Sequence, residues 1–530
     1  MARLPGQTAR DDKRVRWAMV ALLFCAALLR TYDIDSNSVE TDEIHTLEVA
    51  DSESGVLDVV SASLARYHAS KPPLYYLLTH LFLGLGDHDF LLRFPSLAFG
   101  VLGVAATYVA GNVLFGRKVG LVGALLLCIS PLHIRYSQWA RFYPLLMTFS
   151  LLSLYFLYRG MFERGGRRWT GFIVATILNL YTHLFAFLVL LSEGLFFILM
   201  WLQGLATSRR PKSTSDNRDH GLKSQSRLLV QRHSVFALIA SLVVISVAYA
   251  PMVPHLLASI SGPGGIAEGA ETPGIELSLS FFRALLTEWS TGPGIAFVLF
   301  LVLFLIGIFA SVRNQGAQIV MAVLWMGAPF GVLFTVPMQH RFYSRYLVFM
   351  LPVYLIIIGR GLVACDDLVA RLLRRIGDQQ RGPNGVGLAV GLALFGAVTL
   401  PSLQGYYTEI VSDWRSAAVF VGNSISPGEI IIVTRPQNQV ALLHYDGRLQ
   451  AAEFRIVRHR DPLPPDLQNQ EGIWFVGKQG RRNEISQLQD ELAAAVEGQV
   501  FRTVFKGYGD HTAPGAGESM FWDVWVLHTR

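Results

Sequence analysis

The stretch KPPLYYLLTHLFLGLG (Lys71–Gly86) decides the topology of this chain, because its placement determines on which side of a membrane the later loops lie. Its apolar part has only about 15 residues and opens with Pro-Pro, whereas a helix needs ~20 apolar residues to cross a hydrocarbon core of ~30 Å. If it crossed the membrane, every later basic loop would move to the outer face unless the N-terminus were also inverted. We therefore expect a re-entrant or interfacial helix here.

The composition of the whole chain indicates a polytopic membrane protein. The chain has 530 residues, of which 52% are hydrophobic and 16% charged, and its mean hydropathy is +0.39. Ordinary soluble domains have about 25% charged residues. The pattern predicts about 11 to 13 transmembrane helices, the first of them an uncleaved helix. Apolar runs of spanning length begin near Trp17, Phe94, Val119, Phe142, Trp169, Leu184, Val235, Gly294, Gln318, Tyr346 and Val386.

The basic residues show which loops face the cytoplasm. The net charge of +6 comes from Lys and Arg in short blocks between apolar runs, such as Arg117–Lys118 and Arg209–Arg232. This placement is typical of the positive-inside rule and argues against nucleic-acid binding. We expect residues 1–16 to be cytoplasmic, residues 17–403 to form the membrane domain and residues 34–93 to form its first outer loop. The three cysteines form no CxxC pair and predict no disulfide framework.

The character of the chain changes after Pro401. About 125 residues of alternating helical and strand patterns are enough for a small α/β domain. Residues 404–530 are therefore predicted to form an extracytoplasmic α/β domain. The predicted order is helix, strand, helix, strand, helix, strand, over DWRSAAVFVGNSIS, EIIIVTR, QNQVALLHYDG, GIWFVGK, RRNEISQLQDELAAAVE and SMFWDVWVLHT.

The first outer loop concentrates carboxylates in NSVETDEIHTLEVA (Asn37–Ala50). Carboxylates at a membrane surface are costly unless they are solvated or paired, so this cluster is either a wet surface or a site. Lys71, which on its own could simply extend to the headgroups, lies on the same predicted face. Arginines are also found there, against the positive-inside trend, and together they indicate a phosphate site. These arginines are Arg93, Arg135, Arg141, Arg341 and Arg345.

Several stretches in a fixed order resemble one family. They are ETDEIHTLEVA, HASKPPLYYLLTHLFLGLGDHDFLLRFPSLAFGVLGV, GRKVGLVGALLLCISPLHIRYSQWARFYPLLMTFSLLSLYFL and SRYLVFMLPVYLIIIGRGL. Together they resemble the GT-C glycosyltransferases of the family that includes protein O-mannosyltransferases and lipid A aminoarabinose transferases. The chain looks most like a bacterial branch whose acceptors are undefined. The resemblance runs from about Trp17 to Pro401, and the tail beginning SDWRSAAVFV is similar to the outer domains of that branch.

The resemblance implies an enzyme of the bacterial inner membrane that uses a polyprenyl-phosphate sugar. It implies transfer on the outer face, with inversion, to a lipid, glycan or protein acceptor. In this family an Asp-Glu pair in the first outer loop carries the base, which falls on Asp42 with Glu43 beside it; either could be the base. The Lys before Pro-Pro, here Lys71, is implicated in holding the donor phosphate, and the Arg-Tyr pair opening a late helix falls on Arg345 and Tyr346. The full set of predicted phosphate-binding residues is Lys71, His45, Arg141, Arg341 and Arg345, and the predicted substrate-binding residues are Tyr143, Tyr343 and Tyr346.

The chain departs from its named relatives at three places. The aminoarabinose branch has Arg where this chain has His45, and Glu where it has Ser70. The mannosyltransferases have His-Pro-Pro where this chain has Lys71-Pro72-Pro73. Neither named activity is therefore assigned.

The chemistry of inverting transfer agrees with these residue types. One base takes the proton of the acceptor while phosphate leaves from the opposite face, so a carboxylate must stand apart from a group of cations. We predict no required cofactor; a divalent metal at Asp33 and Asp35, or at Asp87, His88 and Asp89, stays possible. His183, within an apolar run, is expected to be a helix break or a headgroup contact. The alternative functions are a polytopic transporter or lipid flippase, and a non-catalytic envelope assembly protein.

Overall fold

The structure is a computed structural model that describes most of the chain. The residues outside the description are 1–4, 52, 66–70, 87, 164, 209–231, 262–278, 313–314, 336–343, 377–384, 409–411, 458–462, 471, 479–481, 497–498, 506–522 and 530. The chain divides into two compact units. The first unit comprises Met1–Tyr32, Gly55–Leu78 and Phe94–Leu403, and the second comprises Asp33–Ser54, Thr79–Arg93 and Gln404–Arg530.

The described residues are mainly helical. The helices are α1 (Pro5–Thr31), α2 (Thr41–Val49), α3 (Val56–Ala65), α4 (Leu74–Leu83), α5 (Asp89–Phe115), α6 (Arg117–Cys128), α7 (Pro131–Gln138), α8 (Tyr143–Phe162), α9 (Gly166–Leu180), α10 (Ala186–Ser208), α11 (Arg232–Tyr249), α12 (Val253–Ser261), α13 (Leu279–Trp289), α14 (Ile295–Val312), α15 (Gly316–Thr335), α16 (Leu351–Ile376), α17 (Val386–Thr408), α18 (Trp414–Ser424), α19 (Pro436–Tyr445) and α20 (Arg482–Val496). A 3₁₀ segment, Ser344–Met350, leads into α16.

The multi-pass architecture predicted from the apolar runs is confirmed. Eight described helices are long and apolar enough to cross a membrane, or nine when α6 and α7 are counted as one bent span. Each predicted apolar run coincides with at least one helix, but three of the runs do not form a single long apolar span. Helix α1 has Arg16 and Arg30 near the two ends of its apolar run, α6 and α7 meet at an angle of 60°, and α9 has only 15 residues.

Helix α4 covers part of the stretch that decides the topology. It has ten residues. At a rise of 1.5 Å per residue such a helix is about 15 Å long, half of the ~30 Å that a span requires. Its length therefore agrees with the expected re-entrant or interfacial helix.

The second unit contains a mixed five-stranded sheet. Its strands are β1 (Ile430–Val433), β2 (Glu453–Ile456), β3 (Ile473–Lys478), β4 (Val500–Phe505) and β5 (Val524–Thr529). They lie in the order β2-β1-β3-β5-β4, with β1 parallel to both β2 and β3 and with β5 antiparallel to β3 and β4. Strands β1 and β3 are buried throughout, as expected for strands covered on both faces. The three predicted strands and three predicted helices of this region are confirmed.

The second unit is not built from the C-terminal residues alone. Residues 33–54 and 79–93, both from the predicted first outer loop, belong to it as well. Helix α2, which carries the acidic motif, therefore shares a unit with the C-terminal sheet. The sequence also gave no sign of β2 and β4, which complete this sheet.

Two glycines allow α14 and α16 to pack closely. A Cβ atom on Gly307 would overlap with the carbonyl oxygen of Ile357, and one on Gly361 would overlap with that of Leu303. Small residues at such a crossing let two membrane helices approach until their backbones touch. The same helices could not keep this distance with any larger residue.

We predict that Gly361→Ala destabilises the first unit, because overpacking a close contact typically costs about 1–3 kcal/mol. The matched control is Gly396→Ala in α17, where an added Cβ meets nothing within 4 Å. The apparent melting temperature of the detergent-purified protein should fall for Gly361→Ala and stay near that of the unchanged protein for Gly396→Ala. Equal melting temperatures for the two variants would contradict the packing described here.

Candidate functional site

The acidic motif begins helix α2 with a capping box. The Glu40 side chain accepts from the backbone at the start of the helix, and the Glu43 carboxylate accepts a 3.0 Å hydrogen bond from the Glu40 N–H. This reciprocal arrangement satisfies amide groups that the first turn of a helix leaves without partners. One of the two predicted bases, Glu43, thus already has a structural contact.

Glu43 also forms a buried ion pair with Arg93, at the start of α5. The Glu43 side chain is 1% exposed and that of Arg93 is 2% exposed. Arg93 Nε donates to Glu43 Oε1 at 2.8 Å, and Arg93 Nη2 donates to Glu43 Oε2 at 2.9 Å. The remaining donors of the guanidinium go to the backbone carbonyl oxygens of Ile34, Asn37 and Ser38.

This pair accounts for all the hydrogen-bonding capacity of Arg93. A guanidinium has five N–H donors, and the five contacts to Glu43 and the three carbonyls use each of them. Arg93 therefore holds the segment that leads into α2. It has no N–H left for a phosphate, although Arg93 is among the arginines of the phosphate site predicted from the sequence.

Asp42 and His45 lie on a less buried side of the same helix. Asp42 precedes Glu43 by one position, which turns its side chain about 100° away around a helix of 3.6 residues per turn. Both Asp42 and His45 are partly exposed. His45 Nδ1 lies 3.6 Å from Glu48 Oε2, one turn further along. Helix α2 thus separates a buried carboxylate from a partly exposed one.

In the first unit, predicted residues from two distant segments meet through aromatic rings. The guanidinium of Arg141 lies 5.1 Å from the ring centroid of Phe142, and Phe142 stacks on His183 with centroids 4.4 Å apart. His183 in turn stacks on Tyr346, with centroids 6.0 Å apart. Tyr143 joins the group with its ring 4.7 Å from that of Phe142. We call Arg141, Phe142, Tyr143, His183 and Tyr346 the aromatic cluster.

Hydrogen bonds bring the segment that follows Lys71 to the same cluster. The Leu74 N–H donates to the Tyr181 carbonyl at 3.1 Å, two residues before His183. The hydroxyls of Tyr75 and Ser96 are 2.8 Å apart, and Ser96 Oγ donates to the Arg141 carbonyl at 2.8 Å. Lys71 is partly exposed and precedes Leu74 by three positions, so their Cα atoms are at most about 11 Å apart.

The structure thus brings together three of the residues predicted from the sequence, namely Arg141, Tyr143 and Tyr346, within the first unit. Lys71 belongs to the same unit and lies three positions before Leu74, which bonds to the segment of His183. Arg345 is partly buried beside Tyr346 in the 3₁₀ segment. Arg341 and Tyr343 lie outside the described residues. Asp42, Glu43 and His45 belong to the second unit.

Two members of the aromatic cluster were not predicted as site residues. Phe142 gives no functional signal in the sequence, because an apolar residue at the start of an apolar helix usually indicates packing. His183 was expected to break a helix or contact headgroups, and it does lie in the turn between α9 and α10, where its Nδ1 accepts from the Phe185 N–H at 3.1 Å. Its ring, however, connects Phe142 to Tyr346, a position that no local signal in the sequence indicates.

The predicted metal positions are only partly described. Asp87 lies outside the described residues, and Asp89 contacts His444, Tyr445 and Arg415 within the second unit. Within the described ranges, no three His, Cys, Asp or Glu side chains are grouped so that they could hold a metal ion.

Part of the chain matches a known protein family model. A family model described as dolichyl-phosphate-mannose-protein mannosyltransferase matches residues 70–212, which include Lys71 and the first part of the aromatic cluster. Among curated proteins, no significant sequence match was found.

Solved structures resemble the chain over nearly its whole length. The structure of ArnT from Cupriavidus metallidurans in the apo state is 16% identical to this chain and has a TM-score of 0.57. The match covers 96% of this chain and 97% of that ArnT chain. The structure of the same protein bound to undecaprenyl phosphate is 15% identical over the same shares of both chains, with a TM-score of 0.54. The oligosaccharyltransferase AglB from Archaeoglobus fulgidus, in complex with an inhibitory peptide and a dolichol-phosphate, is 10% identical over 92% of this chain and 71% of its own, with a TM-score of 0.52.

These likenesses establish the fold class: the chain is a multi-pass membrane protein with the GT-C fold. Within that class, the family match and the two ArnT structures confirm the resemblance inferred from the sequence, to GT-C proteins of the ArnT and protein mannosyltransferase type.

We predict that Glu43→Gln destabilises the protein by about 3 kcal/mol or more, because it leaves the Arg93 charge buried without its counter-charge. The matched control is Glu453→Gln, in an ion pair with Arg455 in which the glutamate is 59% exposed. An exposed pair contributes only about 0–1 kcal/mol, so the control should unfold close to the unchanged protein. Thermal unfolding in detergent measures both. A Glu43→Gln protein as stable as the control would show that the pair does not hold the loop.

Proposed function

We propose that this protein is a glycosyltransferase that moves a sugar from a polyprenyl-phosphate donor to an acceptor hydroxyl or amine. The observation that carries this proposal is the GT-C fold over 96% of the chain, shared with a structure that contains undecaprenyl phosphate. Fold alone does not define chemistry, so the residues of the site must support the same reaction. The acidic helix and the aromatic cluster supply the two kinds of group that the reaction requires.

Asp42 is the proposed base. Glu43, the alternative, has Oε1 held by Arg93 and Oε2 held by Arg93 and the Glu40 N–H. Both oxygens of Glu43 are therefore engaged by protein donors on a side chain that is 1% exposed, away from an incoming acceptor. Asp42 is partly exposed, and a base must be within reach of the proton that it accepts.

Cations near the aromatic cluster are proposed to bind the donor phosphate. Lys71, Arg141 and Arg345 belong to segments that the first unit holds close together, and Arg341 is assigned the same role from the resemblance. Cationic groups stabilise the negative charge that remains on a leaving phosphate. The rings of Tyr143 and Tyr346 provide flat apolar surfaces next to these charges, as a sugar or the start of a prenyl chain requires.

The proposed reaction is a single displacement with inversion. The acceptor oxygen or nitrogen attacks the anomeric carbon and forms the new glycosidic bond, while the bond from that carbon to the phosphate oxygen breaks. The bonding electrons leave with the polyprenyl phosphate, and the acceptor proton passes to the Asp42 carboxylate. One carboxylate is enough because phosphate leaves without protonation, unlike the leaving group in glycoside hydrolysis.

The location and partners of the enzyme are part of the same proposal. We place the reaction at the outer face of a bacterial inner membrane, with residues 404–530 extracytoplasmic, on the basis of the basic loops. The acceptor is a lipid, a glycan or a protein. The sugar and the acceptor stay undefined, because this chain has His45 where the aminoarabinose branch has arginine and Lys71 where the mannosyltransferases have histidine.

Two other functions remain as outcomes of the experiments. A lipid flippase would bind polyprenyl-phosphate sugar and move it without cleaving it. An envelope assembly protein would depend on neither Asp42 nor Lys71. Neither is favoured by an observation in the described residues.

We predict that Asp42→Asn lowers kcat for sugar transfer by roughly 10²–10⁴-fold, the usual contribution of a general base. The assay uses purified protein, a panel of polyprenyl-phosphate sugars and candidate acceptors. Asp51→Asn is the matched control, because Asp51 is an exposed aspartate shortly after the same helix. If Asp42→Asn transfers sugar at the control rate, Asp42 is not the base.

We predict that Lys71→Met weakens the binding of polyprenyl phosphate without sugar by about 10 to 100-fold, since a hydrogen bond to a charged group contributes about 1.5–3 kcal/mol. Arg502→Met, on the exposed strand β4, is the control for a lost positive charge. Binding is measured on protein reconstituted in nanodiscs. A similar dissociation constant for the two variants would remove Lys71 from the phosphate site.

A further inference from the structure

A second buried ion pair lies at the start of helix α2. Lys478 Nζ is 2.6 Å from Glu40 Oε2, and the exposed fractions of the two side chains are 4% and 11%. Ser412 Oγ donates to the other carboxylate oxygen of Glu40 at 2.8 Å. The partners are 438 positions apart in the sequence. The pair therefore joins the first predicted outer loop to the end of strand β3 within the second unit.

The identity of the capping residue fits this contact. Helix N-caps are usually Ser, Thr, Asp or Asn, whose short side chains reach the first amides directly. Glu40 holds this position although its side chain is longer, and it accepts from the Thr41 N–H at 3.3 Å and from the backbone of Glu43 in the capping box. The added length lets the same carboxylate reach Lys478 and Ser412. A shorter N-cap would cap the helix but could not extend as far.

Stability does not explain why this position has a charged pair. Removing two charges from water costs several kcal/mol per ion, and replacing a buried pair with apolar residues is often neutral or stabilising. A buried pair instead restricts the positions of its two side chains, because only a close contact between the charges offsets their loss of water. At the N-cap of α2, this geometry fixes where the helix begins.

Other contacts from the C-terminal part hold the residues just before the helix. The Val39 N–H donates to the Tyr445 hydroxyl at 2.7 Å, and that hydroxyl donates to Asp89 at 2.9 Å. Burial, together with the Asp89 carboxylate, raises the pKa of Tyr445, so the phenol keeps the proton that it donates. Ser38 Oγ accepts from the Arg415 N–H at 3.1 Å.

We propose that Glu40 and Lys478 form a positioning pair through which the C-terminal sheet fixes the helix that carries Asp42. Asp42 follows Glu40 by two positions, about 3 Å along the helix axis, so a shift at the N-cap is passed directly to its carboxylate. The inference rests on the proposed function for the role of Asp42, and it gives the C-terminal region a part in catalysis besides any contact with the acceptor. Glu40 and Lys478 are not catalytic residues; they act through Asp42.

The test compares Lys478→Met with the double variant Glu40→Gln/Lys478→Met. The single variant leaves the Glu40 carboxylate buried without its cation and should lower both stability and transfer. The double variant leaves no unpaired buried charge at this position, so its melting temperature should return toward that of the unchanged protein. If the pair positions Asp42, kcat of the double variant should stay about 10²-fold low, the effect of a misplacement of ~1 Å, with KM for the donor unchanged.

Hydrogen exchange provides a measurement that does not depend on sugar transfer. In the full-length double variant, amides of residues 39–47 should exchange at least about tenfold faster, while strands β1 and β3 keep their protection. Arg455→Met is the control, because it removes a cation from an ion pair on the same sheet at a side chain that is 25% exposed. It should leave both exchange and kcat unchanged.

The outcomes separate this inference from the proposed function. Unchanged exchange at residues 39–47, or recovery of kcat together with stability in the double variant, overturns the positioning role. If no donor supports transfer in the unchanged protein, the proposed function fails, and hydrogen exchange alone decides whether the pair holds α2. Faster exchange with a low kcat supports both.

Discussion

The buried ion pair of Glu43 with Arg93 determines what the acidic loop can do. Two oppositely charged side chains without solvent contact must satisfy each other, and here every donor of Arg93 has an acceptor. The pair fixes the segment before α2 and engages Glu43 completely. Of the two adjacent acids in the motif, it leaves Asp42 on the more exposed side of the helix.

A similar separation of roles is found among the cations. Arg93 is structural, whereas Arg141 has its guanidinium against the ring of Phe142, in a cluster that also contains His183 and Tyr346. Hydrogen bonds from Leu74 and Ser96 place the segment after Lys71 beside this cluster. The two units thus contain different parts of the proposed chemistry: a carboxylate on a fixed helix in one, and cations with aromatic surfaces in the other. The C-terminal sheet contributes Lys478 to the fixing of that helix.

Much of the fold could be predicted from the sequence, because its signals are local. Runs of apolar residues give membrane helices directly, and the short stretch after Lys71 was expected not to span. Strands β1, β3 and β5 were visible as apolar runs, but β2 has only four residues, none of them buried, and β4 alternates irregularly. Three predicted runs do not form single long apolar spans in the described residues, because α1 has arginines near both ends of its apolar run, α9 is short, and α6 and α7 meet at a bend at Ser130 and Pro131.

The site could be predicted only in part, for a different physical reason. Asp42 and Glu43 are neighbours in the sequence, but Arg93, fifty positions after Glu43, forms an ion pair with Glu43. The contact of Glu40 with Lys478 connects still more distant positions. His183 contacts Phe142 and Tyr346 through ring stacking that no periodicity encodes. Such pairings depend on tertiary structure, and a single sequence without its fold does not contain them.

The most direct measurement of the central claim, that Asp42 accepts the acceptor proton, is chemical rescue. In Asp42→Gly the carboxylate is removed and a small gap remains, into which formate can diffuse and accept the proton. The account predicts that sugar transfer by Asp42→Gly is nearly abolished and rises with formate concentration, whereas Lys71→Met gains nothing from formate. Full transfer by Asp42→Gly without formate, or rescue by formate in Glu43→Gly alone, would contradict it.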